Sequence, residues 1–313
     1  MSPEGWPSNT LEAYRYTDLS KIGALELPDG SIQCTGSLPA DILTQAGRYT
    51  LEHFIPAARC ASARYLRVAR GVEVTLVETL TSAAPGVGAA RQKLVIELED
   101  GARLTHLRRQ QLETSAFHWG ETKITVARDA SYTYMALNSG AALARQDLEI
   151  TLAALGAQAA VYALQLLSED QQGDLTTVIE HQAPQTTSDQ LIKNVLTGRA
   201  RGVYQGRIRV APGAQKTNGQ QQSRALLLSP QAEMNTKPEL EIFADDVSCS
   251  HGAAVGALDE QVLYYLRARG LSCPQARSLL IGAFVDEILE KIAAPDVQSA
   301  WQREAQTWLQ QHA

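Results

Sequence analysis

A cysteine and a histidine lie two residues apart at Cys249 and His251, inside the run Asp245-Asp246-Val247-Ser248-Cys249-Ser250-His251-Gly252. No other cysteine and histidine in the chain are so close. In an extended strand residues i and i+2 project from one face, which sets a thiol and an imidazole side by side. Sulfur and nitrogen donors together suit a borderline-soft metal such as iron or zinc. Two ligands do not close a tetrahedral site, so such a centre needs donors from elsewhere in the chain, from a second chain or from exchangeable ligands. The commoner fate of these residue types is a small buried cysteine beside a hydrogen-bonded histidine. Residue types and spacing leave both readings open.

Other chemistry-bearing residues signal less. His181 stands five residues before Thr186 in a turn-rich piece, where a structural hydrogen bond is the expected role. Cys273 falls at a helix start, where the dipole lowers a thiol pKa, yet an ordinary capping-region residue is the simpler reading. Cys34 and Cys60 have no informative spacing. Arg207, Arg209 and Arg224 offer anion chemistry or a solvated face, and the solvated face is expected. The glycines around Gly206 form no GxGxxG or Walker pattern, so no nucleotide site is expected.

Composition narrows the classes. The 313 residues carry a net charge of −6, with 44% apolar and 20% charged side chains, as in a folded globular chain. A negative balance argues against a broad nucleic-acid surface. Four cysteines without a CxxC fit free thiols in a reducing compartment. The start Met1-Ser2-Pro3-Glu4-Gly5-Trp6 lacks the basic and apolar runs of a signal peptide. No window nears the ~18 apolar residues of a membrane span. A cytoplasmic protein with no membrane or nucleic-acid partner is expected.

The elements that must position the pair are strands before it and helices after it. Residues 1–62 read as a short, partly irregular amino-terminal segment with an aromatic-basic cluster, Tyr14-Arg15-Tyr16-Thr17-Asp18-Leu19. From Ala63 to Gly256 short β-branched runs such as Val72-Glu73-Val74-Thr75-Leu76-Val77 are bounded by turns. Gly101-Ala102, Asp129-Ala130 and Gly156-Ala157 each open a strand, 28 and then 27 residues apart, with Gly213-Ala214 about two periods on. Such a period signals stacked coils, each burying its face on the next. The expected core is all-β: a parallel β-helix (β-solenoid) over 63–256, with a β-sandwich as the alternative.

The polar run from Gln215 to Arg224 suits turns and amide ladders of a coil. Residues 257–313 read as a helical region. One helix stops before Gly270, a second is capped at Ser272 with Pro274 in its first turn, and a third begins near Asp296. Their apolar stripe, including Trp301 and Trp308, is expected to cover the end of the solenoid.

From Thr187 to Glu287 the chain resembles the SufB/SufD family of iron–sulfur cluster assembly proteins, and within it the SufD side. The resemblance is carried by Ser188-Asp189-Gln190, Val203-Tyr204-Gln205-Gly206-Arg207-Ile208, Pro238-Glu239-Leu240-Glu241-Ile242, Asp245 to Gly252, and Tyr264-Tyr265-Leu266-Arg267-Ala268-Arg269-Gly270. It implies a right-handed parallel β-helix working as a scaffold subunit, not an enzyme. It further implies pairing with a SufB-like subunit through the coil ends and docking of a SufC-like ATPase by the carboxy-terminal helices. Tyr264, Tyr265, Leu266, Arg267, Leu279, Leu280 and Phe284 are the expected ATPase-facing residues. His251, with Cys249 its neighbour, is the implied ligand of iron or a nascent Fe–S cluster held transiently at the partner interface, with nothing tightly bound to the isolated chain.

Gln221-Gln222 stand where SufB-like chains carry a scaffold cysteine. The family's long helical amino-terminal segment is expected to be absent or vestigial here, since Tyr14 comes almost at once. A SufB-like homodimeric scaffold is the nearer alternative. A β-helix enzyme acting on polysaccharide is the more distant one.

Overall fold

The computed structural model describes residues 33–36, 41–83 and 86–312. The expected contribution of Tyr14 to Leu19 lies outside them. Strands follow one another as β1 (Gln33–Gly36), β2 (Ile42–Leu43), β3 (Gly47–Ile55), β4 (Arg59–Val68), β5 (Glu73–Ser82) and β6 (Ala89–Leu98). They continue through β7 (Arg103–Leu112), β8 (Phe117–Val126), β9 (Ser131–Gly140), β10 (Leu143–Leu152), β11 (Gln158–Leu167) and β12 (Gln172–His181). The last are β13 (Thr187–Leu196), β14 (Arg201–Val210), β15 (Thr217–Leu227), β16 (Glu233–Ile242) and β17 (Val247–Gly256). Helices α1 (Glu260–Ala268), α2 (Cys273–Leu289) and α3 (Pro295–His312) complete the described chain.

Odd-numbered strands form one sheet in the order β1-β3-β5-β7-β9-β11-β13-β15-β17, and even-numbered strands form the other from β16 back to β2. Apart from the antiparallel β1–β3 pair, every pairing is parallel. The chain is a β-solenoid flattened into two sheets, and the sandwich alternative falls. Parallel pairing starts earlier than the change in composition at Ala63 suggests, because β3 already pairs with β5 and residue 63 lies inside β4. The reason is turn content: Gly47, Pro56 and Ala57 obscure a strand pattern that only the pairing makes plain.

The sequence repeat has a conformational cause. Gly71, Gly101, Asp129, Gly156, Gln185 and Lys216 all have positive φ, and each stands just ahead of an odd-numbered strand. This column of left-handed residues turns the chain from one sheet to the other at the same corner of each coil. A Cβ at Gly156, where φ is +72°, would sit 2.2 Å from Asp129 Oδ1, so any other residue there is strained and must displace that carboxylate. Beside the column Ala102, Ala130 and Ala157 are fully buried. The repeat continues through Gln185-Thr186 and Lys216-Thr217, not through Gly213-Ala214 as the spacing suggested. A left-handed Gln or Lys costs ~1–2 kcal/mol over glycine, which the stacked hydrogen bonds offset. Those bonds include Gln185 N to Gln215 O at 2.9 Å and the Thr186–Thr217 hydroxyl pair at 3.2 Å.

The interior is filled by Leu66, Leu76, Ile96, Leu104, Ile124, Ile150, Val161 and Ile179, all nearly inaccessible. Each such side chain contributes ~1.5–3 kcal/mol by leaving water. The helices do not cap the solenoid end. Instead Ile281, Val285 and Ile288 of α2 and Trp301 and Leu309 of α3 pack on Leu107, Met135, Leu137, Leu164, Leu166, Leu191 and Val195, along one flat side of the odd sheet. That face carries an apolar stripe across four coils, and covering it takes the whole helical stripe. Arg48 to Asp296 at 2.6 Å and Ser139 to Glu304 at 3.2 Å tie α3 to the coil. Both tryptophans are buried there rather than offered as an interaction face.

Candidate functional site

Because the helices lie along the side, the last coil stays open. β17 ends one sheet and β16 the other, and no described strand pairs with their outer edges. Apolar side chains are left in solvent here: Ile242, Phe243 and Val255 are 39%, 56% and 44% exposed. Pairing in register makes His106, Tyr134, Val161, Gln190, Gln221 and His251 one inner row. The first five are at most 1% exposed, whereas His251 is exposed. Strand alternation gives Val247, Cys249 and His251 one face, as the spacing predicted.

Cys249 is half-buried against Ile208, Val210, Ala214 and Ala244. Burial pushes its thiol pKa up, partly countered by a backbone hydrogen bond from Gly219. The thiol is therefore protonated at neutral pH, and a metal binding there would have to displace that proton. His251 lies on the same row face about 7 Å along the strand and is exposed. Among the described residues no three His, Cys, Asp or Glu side chains come together to hold a metal ion. The open end thus supplies at most two donors, one exposed and one partly shielded. A bound iron or cluster there needs ligands from a second surface.

Of the remaining histidine and cysteine candidates, His181 and Cys60 are buried in the coil. His181 is fully buried between the hydroxyls of Thr186 at 2.8 Å and Ser188 at 2.9 Å, and burial lowers its pKa to about 4. Cys60 is buried, with its thiol pushed up to about 11, and Cys273 is exposed at the start of α2. Cys34 lies in β1. Arg207 and Arg209 stand outside the coil against Glu241 and Glu180, a solvated face as expected.

A second candidate surface lies on the helices. Asp259 caps α1 by accepting from Gln261 N and Val262 N, and Ser272 with Gln275 forms a capping box on α2. Tyr264, Tyr265 and Leu279 are 76%, 56% and 53% exposed. Arg267 is exposed, and Leu266 and Leu280 are half-buried. Phe284 is turned toward the coil, where its ring lies under the Lys193 ammonium at 4.3 Å. A groove of about 840 Å³ runs between α2 and the ends of α1 and α3, lined by Leu271, Leu279, Gly282, Ala283, Asp286, Leu309 and others. The sequence reading missed Gly282 and Asp286 and took Ala283 only as part of the apolar stripe of this helix. A glycine and a carboxylate within an otherwise apolar helix were the only signal.

Residues 57–284 match the family model described as the SufBD core domain of the SUF system for FeS cluster assembly. The chain belongs to the SufBD family. Among curated SufBD relatives, an iron–sulfur cluster assembly SufBD family protein of Synechocystis is 38% identical over 203 residues, 65% of this chain and 45% of that protein. The iron–sulfur cluster assembly protein SufD of Escherichia coli is 32% identical over 228 residues, 73% of this chain and 54% of that protein. Protein ABCI7, chloroplastic, of Arabidopsis thaliana is 30% identical over 236 residues, 75% of this chain and 50% of that protein. This SufBD chain spans about half the length of these relatives. The matched core opens in the turn before β4 and runs into α2, so both candidate surfaces overlap it. No helix among the described residues is long and apolar enough to cross a membrane.

Proposed function

We propose that this chain is a SufD-like scaffold subunit, not an enzyme, that pairs with a SufB-like subunit and a SufC-like ATPase in cytoplasmic iron–sulfur cluster assembly. The observation that carries the reading is the open coil end. Two strand edges that no described strand pairs with, the exposed Ile242, Phe243 and Val255, and the exposed His251 lie together in the last coil. A strand edge is a template for another chain, and an apolar rim beside it favours a stable protein partner over solvent. A SufB-like coil meeting this end would bring the ligands that Cys249 and His251 lack. Iron or a nascent cluster is then cargo at the joint between two chains, and His251 is its ligand from this side.

The helical surface takes the ATPase. Tyr264, Tyr265 and Arg267 are exposed on α1 and Leu279 lines the groove, an aromatic, basic and apolar composition of the kind in which interface hot spots concentrate.

The test is made in the assembled complex of the three subunits. With His251→Ala, cluster yield collapses while the complex still assembles. With Cys249→Ala the loss is smaller, because its thiol is shielded. Undiminished cluster formation with His251→Ala would remove the ligand role and leave the open end an architectural joint.

A further inference from the structure

Lys193 is 0% exposed although it stands on the side of β13 that meets the helices. Its neighbours on that side, Leu191 and Val195, pack into the apolar layer under α2 and α3. An ammonium withdrawn from water is costly, and an apolar side chain of similar volume in its place is often neutral or stabilising. Lys193 therefore needs a reason other than stability. Its contacts supply one: Nζ donates to the Phe284 carbonyl oxygen at 2.6 Å and to the Glu287 carboxylate, and it lies over the Phe284 ring.

All of these groups sit on one turn of α2. A slide of the helix by one residue, about 1.5 Å with a turn of about 100°, would break every contact at once. Apolar packing tolerates such a shift far better than a charge with fixed acceptors does.

Glu287 carries the tie further, because it also meets Arg224 of β15 at 3.3 Å. Lys193, Arg224 and Ala254 are register partners on β13, β15 and β17. One carboxylate on α2 thus grips two successive coils and stands one strand from the open end. The opposite side of the same helix, at Leu279, Gly282, Ala283 and Asp286, walls the groove. α2 walls the groove and, through Glu287 and Arg224, reaches the strand next to β17.

We propose that Lys193, acting through Glu287, is a positioning residue that fixes the register of α2 on the coil, so that the groove and the open end move as one body. Motion of a protein docked in the groove then reaches β17 without passing through a flexible joint. This rests on the reading of the helices as the ATPase docking surface.

The experiment uses the full chain with spin labels at Leu279→Cys and Ala254→Cys, in a background where Cys34, Cys249 and Cys273 are serine. Electron–electron distance measurement is expected to give one narrow distribution with Lys193 present. Lys193→Met broadens or shifts it while the protein melts within about 4 °C of its parent or higher, and Lys193→Arg restores it. A simple space-filling role would lower the melting point and leave the distribution narrow. An unchanged narrow distribution in Lys193→Met overturns the proposal. Should that variant not fold, Glu287→Gln removes the charged acceptor alone and must produce the same broadening.

A second arm adds the purified SUF ATPase to the unlabelled chain. Lys193→Met should bind it as the parent does, yet the nucleotide-dependent change in amide exchange over Val247–Gly256 should fall about fivefold or more. If the parent fails to bind the ATPase, the docking reading falls, while the distance measurement still decides whether Lys193 sets the helix.

Discussion

The two ends of one inner row behave as different chemical environments. His106, in the closed coil, is 0% exposed, with Nε2 hydrogen-bonded to Glu78 Oε2 at 3.0 Å and Nδ1 to the Tyr132 hydroxyl at 3.0 Å. His251, five strands along that row, is exposed. Both imidazoles belong to odd-sheet strands and both point inward. Only the presence or absence of a further coil separates them. A solenoid buries each layer by the next, so the final layer keeps a core-like face with nothing over it. His251 is open to chemistry because it has no next coil of the kind that buries its counterparts.

The strongest way to break this comparison is at the closed end. Burial alone would raise the pKa of Glu78, but hydrogen bonds from His106 and His53 and the charge of Arg108 hold it well below the usual carboxylate range. Glu78→Ala strands the Arg108 guanidinium in the core and should cost about 3–5 kcal/mol in urea unfolding. His251→Ala, in contrast, should change the stability of the isolated chain by no more than about 0.5 kcal/mol. Equal costs at the two positions would mean that the last coil is closed in solution.

A smaller effect comes from acid. His181 is held neutral by burial, with a folded pKa of about 4 against an unfolded value near ~6.5. Between these values the unfolded chain binds a proton that the folded chain refuses, so stability falls as pH falls through that window. The share owed to His181 is about 3 kcal/mol, complete near the lower limit. Urea titrations at pH 7 and pH 4 should show it, and His181→Asn should lose that part of the slope. A variant with the parent's full slope would show that His181 is protonated in the folded state.

The mildest expectation sharpens the open end. Ile242→Asp with Val255→Asp should leave the isolated chain within about 0.5 kcal/mol of its parent. The same pair should weaken association with a SufB-like subunit by at least about tenfold, measured by calorimetry or light scattering. Unaltered association would move the joint away from this rim.

The coil was legible in the sequence where turn chemistry is explicit. Gly101, Asp129 and Gly156 are residue types that accept a left-handed backbone, and their spacing gives the period directly. Gln185 and Lys216 adopt the same conformation but do not ask for it, so the repeat fades where the coil continues unchanged. The helices were legible from Gly270, Ser272 and Pro274. Their placement was not, because an apolar stripe says that a helix must be covered but not by which surface. The facing of Cys249 and His251 followed from alternation alone. Exposure of His251 did not, since being last in a stack is a property of topology. Lys193 hid in the run Leu191-Ile192-Lys193-Asn194-Val195-Leu196, where one charge among apolar residues reads as a solvent-facing position.

The column of left-handed corner residues has a consequence for how such a molecule can change over evolutionary time. Successive register partners Arg103, Ser131, Gln158, Thr187 and Asn218 are separated by 28, 27, 29 and 31 residues, while the strands themselves hold ten or eleven. Almost all of the surplus chain is exported to the corners, with a single extra residue taken up in β15. The length of the rod is therefore counted in whole layers of about 4.8 Å rather than in residues. Single insertions can accumulate at the bends without moving either end, whereas gain or loss of a complete layer would carry the open face to a new distance from the helices in one step.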